Sequence, residues 1–169
     1  MADNAIIIKA IDTAVGVLML GSIEDRLCMC DWQNGRYRTT VDKRLIRLTG
    51  RNFRVGTSDV IELAHHELTE YFAGKRREFG IPYVLYGTDF QIRTWRAIAS
   101  INYGNVATYS HLAHLIGNPE AVRAVAGACA ANRMAIIVPC HRIVAHDGLG
   151  GYDGGLEVKK YLLWLEGIL

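Results

Sequence analysis

A chain of 169 residues is long enough for one generous domain or two small ones. Half of its residues are hydrophobic and 21% are charged, the balance of a globular protein with a core rather than of a disordered or fibrous chain. The net charge of +2 is too small to mark a nucleic-acid binder by itself, and no stretch approaches the ~18 apolar residues that a membrane span needs.

The chain opens without a basic leader segment, and its Ile6 to Ile8 run is far too short for a signal core. Cysteines stand at positions 28, 30, 129 and 140, a spacing that suggests reduced thiols and a cytoplasmic (in a eukaryote, nuclear) setting rather than a disulfide framework. Ala5 to Ile11, Val15 to Leu20 and Arg26 to Trp32 are short apolar runs. Asp12-Thr13 and Ser22 to Asp25 separate them, which predicts an antiparallel β-meander. Residues 33–57 are polar, basic and weakly periodic, and read as loops with at most a short strand or helix. From Thr57 the pattern turns helical: Val60, Ile61, Ala64, Leu68, Tyr71 and Phe72 recur at helical spacing, and Gly74 supplies the stop. Gly80 to Gly87 reads as a connector with a short extended piece, which places a boundary between a domain at 1–86 and another at 87–169.

The second part is helical and well punctuated. Thr88-Asp89-Phe90-Gln91 fits a capping box, after which Ile92, Trp95, Ile98 and Ala99 make an apolar face. A short helix is predicted over Ser110 to Ile116, closed by Gly117. Asn118 is placed to cap the next helix, with Pro119 at its first position, and that helix runs to Ala130. Two short helices joined by a tight glycine turn form a helix-turn-helix, whose second helix normally enters a DNA groove. Met134 to Val138 reads as a buried strand leading into Pro139-Cys140-His141-Arg142. A glycine-dense loop from Gly148 to Gly155 and a final amphipathic helix complete the chain.

Charge is unevenly spread. Arg93, Arg96, Arg123, Arg133 and Arg142 face only Glu120 between residues 93 and 142; seven cations between Arg36 and Arg54 face only Asp42. Either stretch reads as a phosphate-binding surface or as a solvated face.

The ordered set Gly117-Asn118-Pro119, Asn132, Pro139-Cys140-His141-Arg142, Gly151-Tyr152-Asp153-Gly154-Gly155 and Glu166 resembles the O6-alkylguanine-DNA alkyltransferases, with dense agreement from Phe90 to Gly167. The resemblance implies an α/β chain: an N-terminal ribonuclease-H-like meander with a helix, then a C-terminal helical domain. It implies direct-reversal DNA repair, in which an alkyl group leaves O6-alkylguanine for Cys140 once and irreversibly, with no cofactor. Whether O4-alkylthymine also reacts is left open. His141 is implied as the base that draws the thiol proton through a water, and Glu166 as the carboxylate that orients it, the logic of a Ser-His-Asp triad.

The same resemblance implies that Asn132 is a hinge between recognition helix and acceptor segment, besides its plain reading as a helix C-cap. The implied partner is double-stranded DNA met through the minor groove, by a monomer, with cooperative assembly left open. Tyr109 is implied to crowd the phosphate beside the lesion and Arg123 to fill the gap of the flipped nucleotide. Ala124, Gly127, Ala130 and Arg142 belong to the DNA-binding set; Ala121, Ala126 and Ala128 also fit a groove only ~6 Å wide. Val144, Tyr152, Asp153, Gly154 and Gly155 are implied to line the base pocket.

This sequence departs from relatives in two places. Asp153 stands where they often carry a small, hydroxylated or basic residue, and Ala135 where some carry proline. Cys129 reads as packing. No metal is expected: Cys28 and Cys30 share a strand face, but His65 and His66 are adjacent on a helix and point about 100° apart. A damage sensor would share the helix-turn-helix, and a cysteine hydrolase the Cys-His pair. The intact Cys140-His141-Glu166 set argues against the first, and the lack of a candidate oxyanion hole against the second.

Overall fold

In the computed structural model, which describes residues 4–36 and 38–169, β1 (Ala5–Thr13), β2 (Gly16–Ile23) and β3 (Arg26–Trp32) pair antiparallel in chain order, as expected. Met1, Ala2 and Asp3, part of the N-terminus read above as lacking a leader, lie outside the described residues. Asp12 and Thr13 belong to β1 instead of forming the turn. The chain reverses at Ala14-Val15, where Thr13 Oγ1 donates to Gly16 O at 2.6 Å.

The segment 33–57 is more ordered than its sequence suggests. It forms α1 (Arg38–Thr49) and β4 (Asn52–Val55), and β4 adds parallel to β1 to give the sheet order β3-β2-β1-β4. Only Val41 and Leu45 of α1 are buried. An apolar stripe two residues wide inside a cationic run is too narrow to show as helical periodicity. An Arg38–Asp42 ion pair at 2.9 Å, one turn apart, supports the first turns.

α2 (Asp59–Phe72) buries Val60, Ile61, Ala64, Leu68 and Tyr71 of the expected stripe, with Phe72 half-buried at its end, and packs across the sheet. Its end is a Schellman motif. Ala73 is the cap, and Gly74 follows at φ 74 with its N–H on Tyr71 O, while Lys75 N–H reaches Glu70 O at 2.9 Å. Buried Glu67 accepts the Gly80 N–H at 2.7 Å and pairs with Arg76 at 2.9 Å, folding 73–80 back along the helix. The piece after it is extended: Pro82 O and the Val84 N–H both bond Leu27 on the sheet edge at 2.9 Å. Ile6, Ile23, Cys28, Met29 and Leu45 form a core cluster. Among the described residues no three His, Cys, Asp or Glu side chains gather as a metal site.

The chain divides into two compact units, Met1–Tyr86 and Gly87–Leu169. In the second, α3 (Asp89–Ala99) starts at a complete capping box: Thr88 Oγ1 accepts the Gln91 N–H at 3.1 Å and Gln91 Oε1 the Thr88 N–H at 3.0 Å. α4 (Tyr109–Leu115) is capped by Thr108 and ends at Gly117, φ 77. α5 (Val122–Ala130) begins later than expected, with no side-chain cap. Asn118 to Ala121 is a β-turn closed by Ala121 N–H to Asn118 O at 3.0 Å, and Pro119 occupies its second position, which proline's fixed φ also suits. α3, α4 and α5 pack together, and the Trp95 indole donates to Ala128 O at 2.8 Å.

Residues 134–138 are a turn, not the expected strand. Val138 N–H bonds Met134 O at 2.8 Å and Ile136 sits at φ 70. Its β-branched run signalled burial, which is real, and was read as extension, which is not. The chain then makes a 3-10 turn at Cys140–Arg142 and a short β6 (Ile143–Val144), parallel to β5 (Ala107–Thr108). α6 (Leu156–Leu165) closes the unit. Among the described residues no helix is long and apolar enough to cross a membrane.

Candidate functional site

Cys140 lies where three local structures meet: the C-terminal end of α5, the 134–138 turn and the 3-10 turn that the cysteine opens. Asn132 ties them. Its Nδ2 donates to Val138 O at 2.9 Å and to the Cys140 sulfur at 3.0 Å, and its Oδ1 accepts the Met134 N–H at 2.9 Å. With both ends of its amide engaged, Asn132 fixes the sulfur relative to α5. Cys140 is 8% exposed, and its sulfur also contacts Cys129 O at 3.7 Å. Burial pushes the Cys140 thiol well up and the adjacent Cys129 adds to this; the Asn132 N–H and the Lys159 charge oppose it.

His141, fully buried, follows directly. Its Nε2 bonds Glu166 Oε2 at 2.5 Å, whereas its Nδ1 is buried with no hydrogen-bond partner among the described residues. A carboxylate on Nε2 selects the tautomer with the proton there, leaving the Nδ1 lone pair as the basic face. Burial holds the His141 pKa below its usual value despite the opposing carboxylate. The ring is thus neutral, able to accept a proton.

Glu166 is the C-cap of α6. Gly167 follows at φ 80 with its N–H on Trp164 O, and Ile168 N–H bonds Leu163 O at 2.9 Å, a second Schellman end that sets the carboxylate's position. Arg142 corrects a sequence expectation. Assigned there to the DNA-binding set, it is 6% exposed, and its guanidinium donates to both Glu166 oxygens and to Ile101 O at 2.6 Å. A buried carboxylate needs a counter-charge, and Arg142 supplies it.

Lys159 was not singled out from sequence. It is fully buried in α6, and its Nζ donates to Ile143 O at 2.6 Å and Gly151 O at 3.0 Å. Burial lowers its pKa to about 8. The available signal was its place on the apolar stripe of α6, one turn before Leu162 and Leu163.

Tyr109, at the start of α4, packs on the glycine loop. A Cβ at Gly150 (φ 73) would lie 3.0 Å from its hydroxyl, so only glycine fits there. Burial pushes the Tyr109 phenol up to about 12, with the Cys129 and Cys140 sulfurs near enough to contribute. Tyr152 to Gly155 form a tight turn closed by Gly155 N–H to Tyr152 O at 3.0 Å, with Asp153 and Gly154 at its centre; Val144 is half-buried in β6. On α5, Val125 and Ala128 face inward while Arg123, Ala124 and Gly127 are exposed and Ala130 is half-buried. Ala128 therefore leaves the small-residue surface proposed from sequence.

Residues 6–85 match the family model described as "6-O-methylguanine DNA methyltransferase, ribonuclease-like domain", and residues 89–168 match "6-O-methylguanine DNA methyltransferase, DNA binding domain". A methylated-DNA–protein-cysteine methyltransferase of Methanosarcina acetivorans is 35% identical over 157 residues, 92% of this chain and 95% of that protein. The chain belongs to the 6-O-methylguanine DNA methyltransferase family. The inducible family member of Bacillus subtilis is 45% identical over 113 residues, 66% of this chain and 63% of that protein. Mycobacterium tuberculosis OGT, solved in complex with DNA, superposes with a TM-score of 0.81 at 37% identity, covering 95% of this chain and 92% of that one. The 6-O-methylguanine DNA methyltransferase family thus accounts for both the strand-rich unit and the helical one.

Proposed function

We propose that this protein repairs alkylated DNA by direct reversal, with the sulfur of Cys140 taking the alkyl group from O6 of guanine and keeping it. The carrying observation is the buried hydrogen-bonded set in which Asn132 holds the Cys140 sulfur at 3.0 Å and Glu166 holds the neutral His141 at 2.5 Å. The sulfur attacks the alkyl carbon, the C–O bond breaks, and its electrons return to the guanine oxygen. The thiol proton leaves toward His141 Nδ1, the lone-pair face that Glu166 leaves available. A thioether carbon has no leaving group that water can displace readily, so each molecule serves once. Tyr152 supplies a proton donor for the restored base, and Val144, Asp153, Gly154 and Gly155 border the pocket that admits it.

The relatives' names support DNA as the partner. The finer reading is that α5 enters the minor groove by its exposed face: Ala124, Gly127 and Ala130 permit close approach, Arg123 occupies the space of the extruded nucleotide, and Tyr109 crowds the adjacent phosphate. One chain serves one lesion, whether or not further copies assemble beside it. A cytoplasmic setting, where thiols stay reduced, suits a thiol acceptor.

Intact and peptide mass spectrometry after mixing with excess duplex carrying O6-methylguanine tests the reading. One methyl gained on the Cys140 peptide, and none in Cys140→Ala, is expected. Binding without mass gain would make the protein a lesion sensor, and neither binding nor gain would overturn the proposal.

A further inference from the structure

Cys129 is the group that the transfer reaction leaves unused. It sits in the last turn of α5, half-exposed, while Cys140 is buried beside it. The Cys140 sulfur contacts the Cys129 carbonyl at 3.7 Å, which sets the two cysteines side by side at the end of α5, and the Cys129 side chain is near enough to help push the Cys140 thiol up. We propose that Cys129 and Cys140 form a dithiol modification site, at which a peroxide oxidises the acceptor and Cys129 captures it as a reversible intramolecular disulfide.

Burial holds the Cys140 thiol up, but the His141 Nδ1 face that takes its proton for attack on carbon serves attack on a peroxide in the same way. In the first step the Cys140 thiolate attacks one peroxide oxygen, the O–O bond breaks and hydroxide leaves; sulfur is oxidised by two electrons to a sulfenic acid and the peroxide is reduced. In the second, the Cys129 sulfur attacks the Cys140 sulfur, the S–O bond breaks, and the departing hydroxide takes the Cys129 proton as water. With hydrogen peroxide, two thiols give one disulfide and two waters, and a thiol reductant restores both cysteines.

The surroundings favour this closure. The loop between the two cysteines is short, and Asn132 already ties its ends, so little chain freedom remains to be lost. Cys28 and Cys30, by contrast, are fully buried within β3. Without a neighbour to capture it, a sulfenic acid at Cys140 advances to sulfinic acid, which thiol reductants do not reverse. Cys129 thus converts an oxidative loss of a single-use acceptor into a recoverable one.

The full chain is treated with hydrogen peroxide, blocked with N-ethylmaleimide and digested without reduction. The expected product is one linked Cys129–Cys140 peptide pair, lacking two hydrogens and carrying no maleimide. Dithiothreitol should then restore methyl acceptance several-fold in the wild type but not in Cys129→Ser or Cys129→Ala, each compared with its own untreated sample. In both variants Cys140 should carry sulfinic acid. Sulfinic acid on wild-type Cys140 beside a maleimide-labelled Cys129, a Cys140 link to another cysteine, or equal recovery in wild type and variants would overturn the proposal. The peptide mapping decides the disulfide even if Cys140 takes no methyl group, so this inference and the repair reading fail separately.

Discussion

Arg142 grips both oxygens of Glu166, Nε to Oε1 at 2.8 Å and Nη2 to Oε2 at 3.2 Å, while the same carboxylate holds His141. Removing one member of such a buried pair leaves the other charge uncompensated. Arg142→Ala should therefore lose about 3–5 kcal/mol of stability in urea unfolding. Its folded fraction should keep the wild-type salt dependence of DNA binding, since a buried guanidinium neutralises no phosphate; a shallower slope would return Arg142 to the DNA surface.

Arg123 should behave in the opposite way. It is exposed on α5, so Arg123→Ala should leave the unfolding free energy measured in urea within about 0.5 kcal/mol of wild type. Methyl transfer from duplex DNA should slow far more than transfer from the free modified base. Equal losses on both substrates would remove the gap-filling role.

Asn132→Ala deletes the donor to Val138 O and Cys140 and the acceptor for the Met134 N–H, all buried. About 1–3 kcal/mol should be lost for each group left unpaired, an upper sum that relaxation reduces. Asn132→Asp keeps the acceptor but sets a carboxylate against the sulfur, which raises the thiol further. Both variants should react with iodoacetamide at neutral pH more slowly than the wild type, Asn132→Asp the slower of the two; a wild-type rate in Asn132→Ala would show that the amide does not stabilise the thiolate.

The lowered His141 pKa has a sign that can be measured. Below its usual value near ~6.5 the unfolded histidine gains a proton while the buried one stays neutral, so acid favours unfolding. The Tm should fall as pH drops through and below 6.5 until the folded pKa is reached. In His141→Gln that part of the slope should disappear. An unchanged slope would assign it to other groups.

Lys159→Met removes the buried ammonium and leaves Ile143 O and Gly151 O without their donor. The pH profile of Cys140 alkylation should move to higher pH in the variant, because one of the charges that favours the thiolate is gone. In the wild type that help fades as Lys159 loses its proton around pH 8, so its profile should flatten there. Superimposable profiles would limit Lys159 to a structural role.

What the sequence made legible followed local chemistry. Thr88 and Gln91 announced a capping box that the structure contains in full, and Gly74 and Gly117 marked helix ends because only a glycine-like residue takes positive φ without strain. The meander was visible in its short apolar runs and tight connections. Failures came where tertiary context decided. α1 rests on just Val41 and Leu45; Met134 to Val138 is buried but turned; Asn118-Pro119 serves a β-turn instead of a helix start. Arg142 was read as a surface cation and Lys159 passed unnoticed, because burial of charge shows only when the partners, Glu166 and two carbonyls, are in place. The roles proposed for Cys140, His141 and Glu166 came from the ordered motif set, and the one proposed for Cys129 did not, since Cys140 lies eleven positions away across a turn that the sequence did not disclose.

Ile136 combines two demands that seldom coincide: a β-branched side chain, 1% exposed, on backbone at φ 70. Glycine would relieve about 1–3 kcal/mol of torsional cost and forfeit a comparable or larger amount of packing. Valine would keep the torsion and leave a void. Neither neighbour in mutational space improves on the present residue, so the segment ahead of the acceptor is a local optimum with steep sides. Substitutions should therefore be tolerated in the loop around His146 and Asp147, both exposed, far more readily than at this turn.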